Sequence, residues 1–247
     1  MKVEVSHEAS QIERLCARHR LLSELSGRDR RRIARKMRLV TLNPLHRLYE
    51  MSEIIQYVCF PLTAVLCFLG TTLEGQVIQV GQIGNEGIAG VEVAMRTPSA
   101  GRSLVTAAVE VPGLALLMKA DDFAQEVDRY STVNRCVRRY IGFFLAQLLF
   151  LIACNRHHSV EQRGARWLLA LQDRTGTPEL WLTQQHLADM LGVTRQTVER
   201  LLTHLEVGKI LQNQRGAVTI KDRSKLLGRA CDCYQIIAKR LKALFRA

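Results

Sequence analysis

One stretch constrains this chain more than any other: LTQQHLADMLGVTRQTVERLL, residues 182–202. Apolar side chains fall at Leu187, Leu191, Val193, Val198 and Leu201, the three- and four-residue steps of helices with one buried face. Gly192 can take the positive φ that ends a helix, and small Ala188, four residues earlier, lets a second helix come close. Thr183 and Thr194 each stand where an N-cap oxygen is wanted. The pattern is a helix-turn-helix, two short helices crossing steeply across a Gly-containing turn. In that motif the second helix enters the DNA major groove and its N-terminal residues touch base edges. Here the outward positions are Arg195, Gln196, Thr197, Glu199 and Arg200. An ordinary helical hairpin would share the amphipathic spacing, but would not need the Ala, the Gly and both caps at once.

The charge balance agrees. Formal net charge is +12 over 247 residues, and the segment after residue 157 holds 15 Lys+Arg against 8 Asp+Glu. A basic surface suits a polyanion. It would serve an anionic membrane equally, so charge supports the motif without replacing it. The most apolar run, residues 141–154, is short for a bilayer span and contains Gln147, so no membrane anchor is expected. Hydrophobic content of 47% and charged content of 23% describe a folded chain. Cysteines stand at 16, 59, 67, 136, 154, 231 and 233, an odd number at irregular spacing behind a charged, polar N-terminus. This predicts free thiols and a cytoplasmic location.

Taken in order, residues 8–38 carry helical patterning, which Gly27 divides into two short helices. The charge cluster 28–32 reads as solvated surface. From residue 39 to about 118 the texture changes to short β-rich runs, at 47–51, 54–60, 64–69, 76–83, 104–110 and 113–118. Pro44, Pro61, Gly70, Glu74-Gly75, Gly84 and Pro112 punctuate them. Such runs suggest a compact antiparallel barrel or roll, holding one small ligand or filled by side chains.

Residues 121–157 return to helix, with Val133, Val137, Tyr140, Ile141, Phe144, Leu148, Leu151, Ile152 and Asn155 recurring at helical steps. Residues 143–154 are apolar nearly all round, so the helix must be buried on more than one face. One face is expected on the barrel and another on a symmetry mate, in a parallel homodimer seam over 131–155. Residues 155–159 form a hinge, with Ser159 capping a helix over 160–173. After a turn at 175–178 and the helix-turn-helix, segments 210–214 and 217–221 read as a β-hairpin wing with Arg215 at its tip, placed to meet phosphate. Residues 222–245 close the chain as one helix, ending in Lys239, Arg240, Lys242 and Arg246.

Barrel, long helix, hinge and winged helix-turn-helix, in that order, resemble the cyclic-AMP receptor protein/FNR family of bacterial transcription regulators. The likeness covers nearly the whole chain. Its most specific segments are TRQTVERLL at 194–202, SVEQRGARWLLAL at 159–171 and IGNEGIAG at 83–90. The resemblance implies an α+β fold in three parts: a cyclic-nucleotide-binding-like β-roll (1–120), a long dimerisation helix with hinge (121–157), and a winged helix-turn-helix (158–247). It also implies a homodimer on double-stranded DNA, reading a near-palindromic site and contacting RNA polymerase. The receptor's recognition helix opens Arg-Glu-Thr-Val-Gly-Arg, where this chain has residues 195–200 as Arg-Gln-Thr-Val-Glu-Arg. By that likeness Arg195 and Arg200 donate to guanine, while Gln196 suits adenine and shifts the site away from TGTGA.

Cyclic-nucleotide binders of this fold grip phosphate with a Gly-Glu pair and a following Arg-Ser or Arg-Thr. Gly84, Asn85, Glu86 and Gly87 lie in a suitable loop and Arg102-Ser103 follows, but the intervening 91–101 insertion is long for that cassette. Leu148 and Leu149 stand where the receptor has a hydroxyl pair that meets adenine. Two Leu cannot hydrogen-bond a purine edge, and a buried unpaired group costs about 1–3 kcal/mol. Cyclic AMP is therefore not the expected effector. A different ligand, such as a cyclic dinucleotide, and a barrel filled with side chains both stay open. The alternatives for function are a nucleotide-gated regulator using the 83–103 loop and a non-specific architectural DNA-binding protein.

No cofactor, metal site or enzymatic activity is expected. FNR-type oxygen sensors carry several closely spaced N-terminal cysteines, and only Cys16 lies there. Cys231-x-Cys233 is tight and unaccompanied for a zinc knuckle, and Cys154 with His157 and His158 has no evident partner pair. A cupin-like enzyme would need a His/Glu set on its strands, whereas His46 is the one histidine of the barrel region.

Overall fold

The computed structural model describes residues 9–44, 46–74, 77–95 and 102–245. Three helices come first: α1 (Ala9–Arg18), α2 (Arg20–Ser23) and α3 (Gly27–Ala34). The sequence suggested two helices reaching residue 38. Instead His19 caps α2 and Ser26 caps α3, so Gly27 starts a helix rather than ending one. Met37 already belongs to the first strand, where Met37, Val40 and Leu42 turn inward. The 28–32 cluster is not simply solvated either. Asp29 is buried, and Arg32 bonds both it and buried Glu126 of a later helix while lying over the Tyr130 ring.

Seven strands form two antiparallel sheets: β1 (Met37–Leu42), β2 (Arg47–Tyr49), β3 (Tyr57–Pro61), β4 (Val65–Thr71), β5 (Val77–Ile83), β6 (Thr106–Val111) and β7 (Gly113–Lys119). Their orders are β1-β7-β3 and β2-β6-β4-β5. Val58, Phe60, Leu66, Phe68, Leu116 and Met118 point into one shared core, so side chains fill the roll. Ile54 is not in a strand but makes an isolated bridge to Arg102, and residues 91–95 form a short 3₁₀ turn. Gly75, expected as a turn residue, lies outside the described residues, as do 96–101 of the insertion and Arg246.

The expected long helix is two. α4 (Ala120–Arg129) ends at extended Tyr130, and α5 (Ser131–His157) follows. At 27 residues α5 has the length and apolar composition of a helix able to cross a membrane, a test that the core helix of a globular protein also passes. Its inner face lies on the roll, however. Val133, Val137, Tyr140, Phe143 and Gln147 are buried, Tyr140 Oη donates to the Ile88 carbonyl at 3.2 Å, and Gln147 donates to the Gln82 carbonyl at 3.3 Å. Phe144 meets Phe68 edge-on, and Leu148 covers Gly81.

The C-terminal part has a second core. It comprises α6 (Val160–Thr175), β8 (Glu179–Trp181), α7 (Gln184–Leu191), α8 (Arg195–Val207), β9 (Leu211–Gln214), β10 (Ala217–Ile220) and α9 (Arg223–Arg229). Ser159 and Gln162 form a complete capping box on α6. The wing has three strands in the order β8-β10-β9, not the expected two, because residues 179–181 pair with β10. At Gly164 a Cβ would come within 2.6 Å of Leu201 Cδ2, so α6 and α8 approach closely here and a larger residue would displace the Leu201 side chain. The expected single closing helix breaks at residues 230–232, and α10 (Cys233–Leu244) turns away from the second core. It lies along α5, where Ile237, Leu241 and Leu244 join the N-terminal core and Arg139 donates to the Leu244 carbonyl.

Candidate nucleic-acid interface and effector cavity

The geometry of α7 and α8 follows from local chemistry. Thr183 Oγ1 accepts from His186 N–H at 3.0 Å, and Thr194 Oγ1 accepts from Thr197 N–H at 3.2 Å, so each caps its helix. Gly192 ends α7 with φ +64°. Leu187, Ala188, Leu191, Val198, Leu201 and Leu202 are all buried, which fixes the rotation of α8. Arg195, Gln196, Glu199 and Arg200 consequently stand exposed along one side of its N-terminal turns. Thr197 is half-buried, with its hydroxyl 2.9 Å from that of Thr194. Arg195 Nε reaches Gln184 Oε1 at 3.5 Å. Arg215 is exposed on the turn between β9 and β10, beside Gly216 at φ +80°. An exposed, capped, cation-bearing helix start, with Arg215 exposed on the β9–β10 turn, supplies the charge and hydrogen-bond donors that a nucleic-acid contact uses.

The first helix, α7, is held against the roll. His186 Nε2 lies 3.5 Å from Glu110 Oε1, and Trp167 of α6 donates its indole N–H to Gln79 Oε1 at 3.1 Å. Deeper in the same junction Arg174 enters the loop after β5. Its guanidinium meets Glu86 Oε1 at 2.8 and 2.9 Å, Gln82 Oε1 at 3.1 Å and the Gln82 carbonyl at 3.2 Å. Nothing in the sequence marked Arg174, because its partners lie about 90 residues away and no periodicity links them.

This changes the picture of the expected ligand residues. Glu86 is buried, but its carboxylate is already shared between Arg174 and the Gly84 N–H, 3.2 Å away. The Asn85 carbonyl accepts from Arg20 N–H at 3.0 Å, and the Gly87 carbonyl pairs with His19 Nε2 at 3.1 Å. Full burial lowers the His19 pKa to about 4, so the ring is neutral and donates through Nε2. Arg102 is turned to the Ser52 carbonyl at 2.9 Å, while buried Ser103 bonds the Val105 carbonyl. The structure thus divides Gly84, Asn85, Glu86 and Gly87 from Arg102 and Ser103 by their partners. What it offers instead is a cavity of about 650 Å³ outside the filled roll, bounded by β5, α5, α6 and α10. Gln79, Gln82, Leu148, Leu151 and Arg174 line it. Leu148 lines this cavity, whereas Leu149, expected with it at an adenine position, faces outward.

The cysteines correct one expectation outright. Cys231 and Cys233 are not unaccompanied, and Cys154 has its partner pair. Folding brings Cys154, His158, Cys231 and Cys233 together with ligand atoms within 4.8 Å of one another. His157 is exposed beside them and takes no part. The spacing could not reveal this, because the pairs sit 77 and 75 residues apart.

Fold and surface define a DNA-binding protein built from a β-roll, a long helix and a winged helix-turn-helix. Residues 162–229 match the family model of the Crp-like helix-turn-helix domain. The chain therefore contains a Crp-like DNA-binding domain, set within the fold of Crp/Fnr-type transcription regulators. Among solved structures it is similar to FixK2 from Bradyrhizobium japonicum, with TM-score 0.67 and 16% identity over 79% of this chain and 98% of that one. A protein described as a transcriptional regulator of the crp/fnr family from Eubacterium rectale has TM-score 0.65 and 18% identity over 92% and 98%. The c-di-GMP-responsive global regulator CLP of Xanthomonas campestris has TM-score 0.62 and 14% identity over 79% and 99%. No curated protein matches the chain in sequence.

Proposed function

We propose that this protein is a homodimeric, sequence-specific transcription regulator of the cytoplasm that contacts RNA polymerase and does not respond to cyclic AMP. The observation that carries the reading is the exposed Arg195-Gln196-Arg200 set on a start of α8 that is capped and rotationally fixed. In this reading Arg195 and Arg200 take guanine edges, Gln196 takes adenine, Thr197 and Glu199 flank them, and Arg215 meets phosphate. Thr183 and Thr194 contribute as caps that hold the reading helix. Residues 1–120 act as sensor or scaffold, 121–157 as dimer helix and hinge, and 158–247 as the DNA-binding part, with α10 returning to α5.

The dimer surface is a stripe on α5. Gly142, Leu145, Leu149 and Ile152 follow one another at steps of three, four and three, with Leu145 56%, Leu149 59% and Ile152 67% exposed. That is an a/d seam left without a partner in the single chain. Val133, Val137 and Tyr140, on the other face of the same helix, pack into the roll. To read two half-sites one turn of DNA apart, a dimer joined along α5 must hold its two α8 helices about 34 Å apart.

Selection from random duplex DNA tests the reading, run at fixed salt with and without cyclic mono- and dinucleotides. A two-fold-symmetric site without additive supports a regulator needing no effector. A site recovered only with one nucleotide would make the cavity beside Arg174 the effector pocket and favour the nucleotide-gated alternative, which the cavity's volume supports. Recovery of no preferred sequence would sink the base-reading roles and leave an architectural DNA binder.

A further inference from the structure

At the junction of α5 with α6, three thiols form a small cluster of their own, separate from both large cores. Cys154 projects from the last turn of α5, and His158 is the residue that ends that helix. Cys231 lies in the break between α9 and α10, and Cys233, on the other side of Asp232, is the first residue of α10. Cys154 Sγ lies 3.5 Å from Cys231 Sγ, and Cys233 Sγ lies 3.7 Å from His158 Nδ1. Ligands on a tetrahedral zinc ion, with Zn–S about 2.3 Å and Zn–N about 2.0 Å, are separated by roughly 3.5–3.8 Å. A disulfide would instead need sulfur atoms about 2.05 Å apart and would leave Cys233 and His158 without a role.

From this geometry we infer that Cys154, His158, Cys231 and Cys233 form a structural zinc site that clasps α10 to the end of α5. The donor set selects the metal class. Three sulfurs and one imidazole exclude magnesium and calcium, which take oxygen ligands, and suit a closed tetrahedral zinc. The surroundings fit as well. His158 turns Nδ1 toward the sulfurs and Nε2 toward Asp232 Oδ1 at 3.5 Å, the arrangement by which a carboxylate orients a metal-bound imidazole. Arg166 of α6 lies beside Cys154. On binding, each of the three thiols releases its proton to solvent and the imidazole offers the Nδ1 lone pair. Three thiolates and one divalent ion leave one negative charge, and Arg166 offsets it.

The site's position gives it a consequence. The four ligands come from the end of the long helix, the start of the DNA-binding part and the root of α10, so the ion would fix three segments whose relative placement sets where α8 points. The linkage is also long in sequence, closing a loop from 154 to 231 that contains the entire Crp-like domain.

The test uses the full-length chain without an affinity tag, purified without chelator. Elemental analysis should find about one zinc ion per chain after desalting. Cobalt titration of metal-free protein should give intense visible bands of tetrahedral cobalt and thiolate charge transfer, saturating at about one equivalent and displaced by zinc. Cys231→Ser with Cys233→Ser should abolish both signals, and His157→Ala should change neither. The cobalt titration reads the wild-type chain, so an unfolded variant would not obscure the answer. Desalted protein free of metal, whose cobalt spectrum stays that of the octahedral aquo ion, overturns the proposal. So does a Cys154–Cys231 disulfide found by mapping of the freshly purified protein, or iron with acid-labile sulfide in place of zinc.

Discussion

Arg174 is the most incisive place to perturb the junction between roll and DNA-binding part. Its side chain is 11% exposed and that of Glu86 5%, so both charges have left water for each other. Arg174→Met keeps the aliphatic stem but leaves the Glu86 carboxylate with the Gly84 N–H alone, and Gln82 Oε1 loses its guanidinium donor. Removing one member of a buried pair typically costs about 3–5 kcal/mol, because the remaining charge is stranded. The lower end, about 3 kcal/mol, is expected here: the neighbouring 650 Å³ cavity admits water to Glu86. Adding Glu86→Gln removes the stranded charge, so the double variant should recover most of the loss and sit about 1 kcal/mol below wild type. The chain supplies its own reporter. It has two tryptophans, and Trp181 is 70% exposed while Trp167 is buried on this same junction. In a Trp181→Phe background, urea unfolding followed by Trp167 fluorescence reads the interface directly. If Arg174→Met costs less than about 0.5 kcal/mol, or the two substitutions add without recovery, the buried pair does not hold the junction.

Leu149→Glu places a carboxylate at the middle of the α5 stripe. Losing burial of a half-exposed Leu on both copies, about 1–2 kcal/mol each, should weaken dimerisation at least 30-fold, as sedimentation equilibrium would show; an unchanged association constant would remove α5 as the seam. Arg200→Ala should cost about 1–3 kcal/mol on the selected site and relax preference at one base pair, whereas Arg215→Ala should weaken all sequences alike and reduce the salt slope. A competition binding series against single-base variants separates the two. His19 makes stability pH-dependent. Its pKa is about 4 when folded against 6.5 in an exposed ring, so between those values the unfolded chain binds the extra proton. The stabilisation is present above pH 6.5 and is lost as pH falls toward 4, by up to about 3 kcal/mol; His19→Gln should flatten that part of a pH series of urea melts.

What was legible in the sequence is what short-range chemistry determines. Caps at Thr183, Thr194 and Ser159, the left-handed Gly192 and the buried spacing of 187–202 all act within a few residues, and the structure follows them closely. The wing and most strands were visible for the same reason. Errors came where a tertiary partner decided the outcome. Residues 179–181 carry little strand pattern and become β8 only because β10 offers its edge. Tyr130 interrupts an otherwise continuous helical pattern, with its ring under Arg32 from α3. Long-range polar contacts were invisible altogether: Arg174 with Glu86, and the meeting of Cys154 and His158 with Cys231 and Cys233. Of the expected ligand residues, the family resemblance implied one cradle, whereas Glu86 bonds Arg174 and Arg102 bonds the Ser52 carbonyl.

The stripe on α5 has basic residues at both ends. Arg135 and Arg138 precede Gly142, and Arg156 follows Ile152, all exposed on the same side. Two such helices laid parallel would bring like charges together at each end of an apolar middle. Dissolved salt would then act on the protein in two opposing directions. It would screen the repulsion and favour pairing of the helices, while weakening the grip on phosphate by competing with the cations of the DNA-binding part. Occupancy of a two-fold site at a fixed, low protein concentration should therefore pass through a maximum as ionic strength rises, rather than fall from the outset.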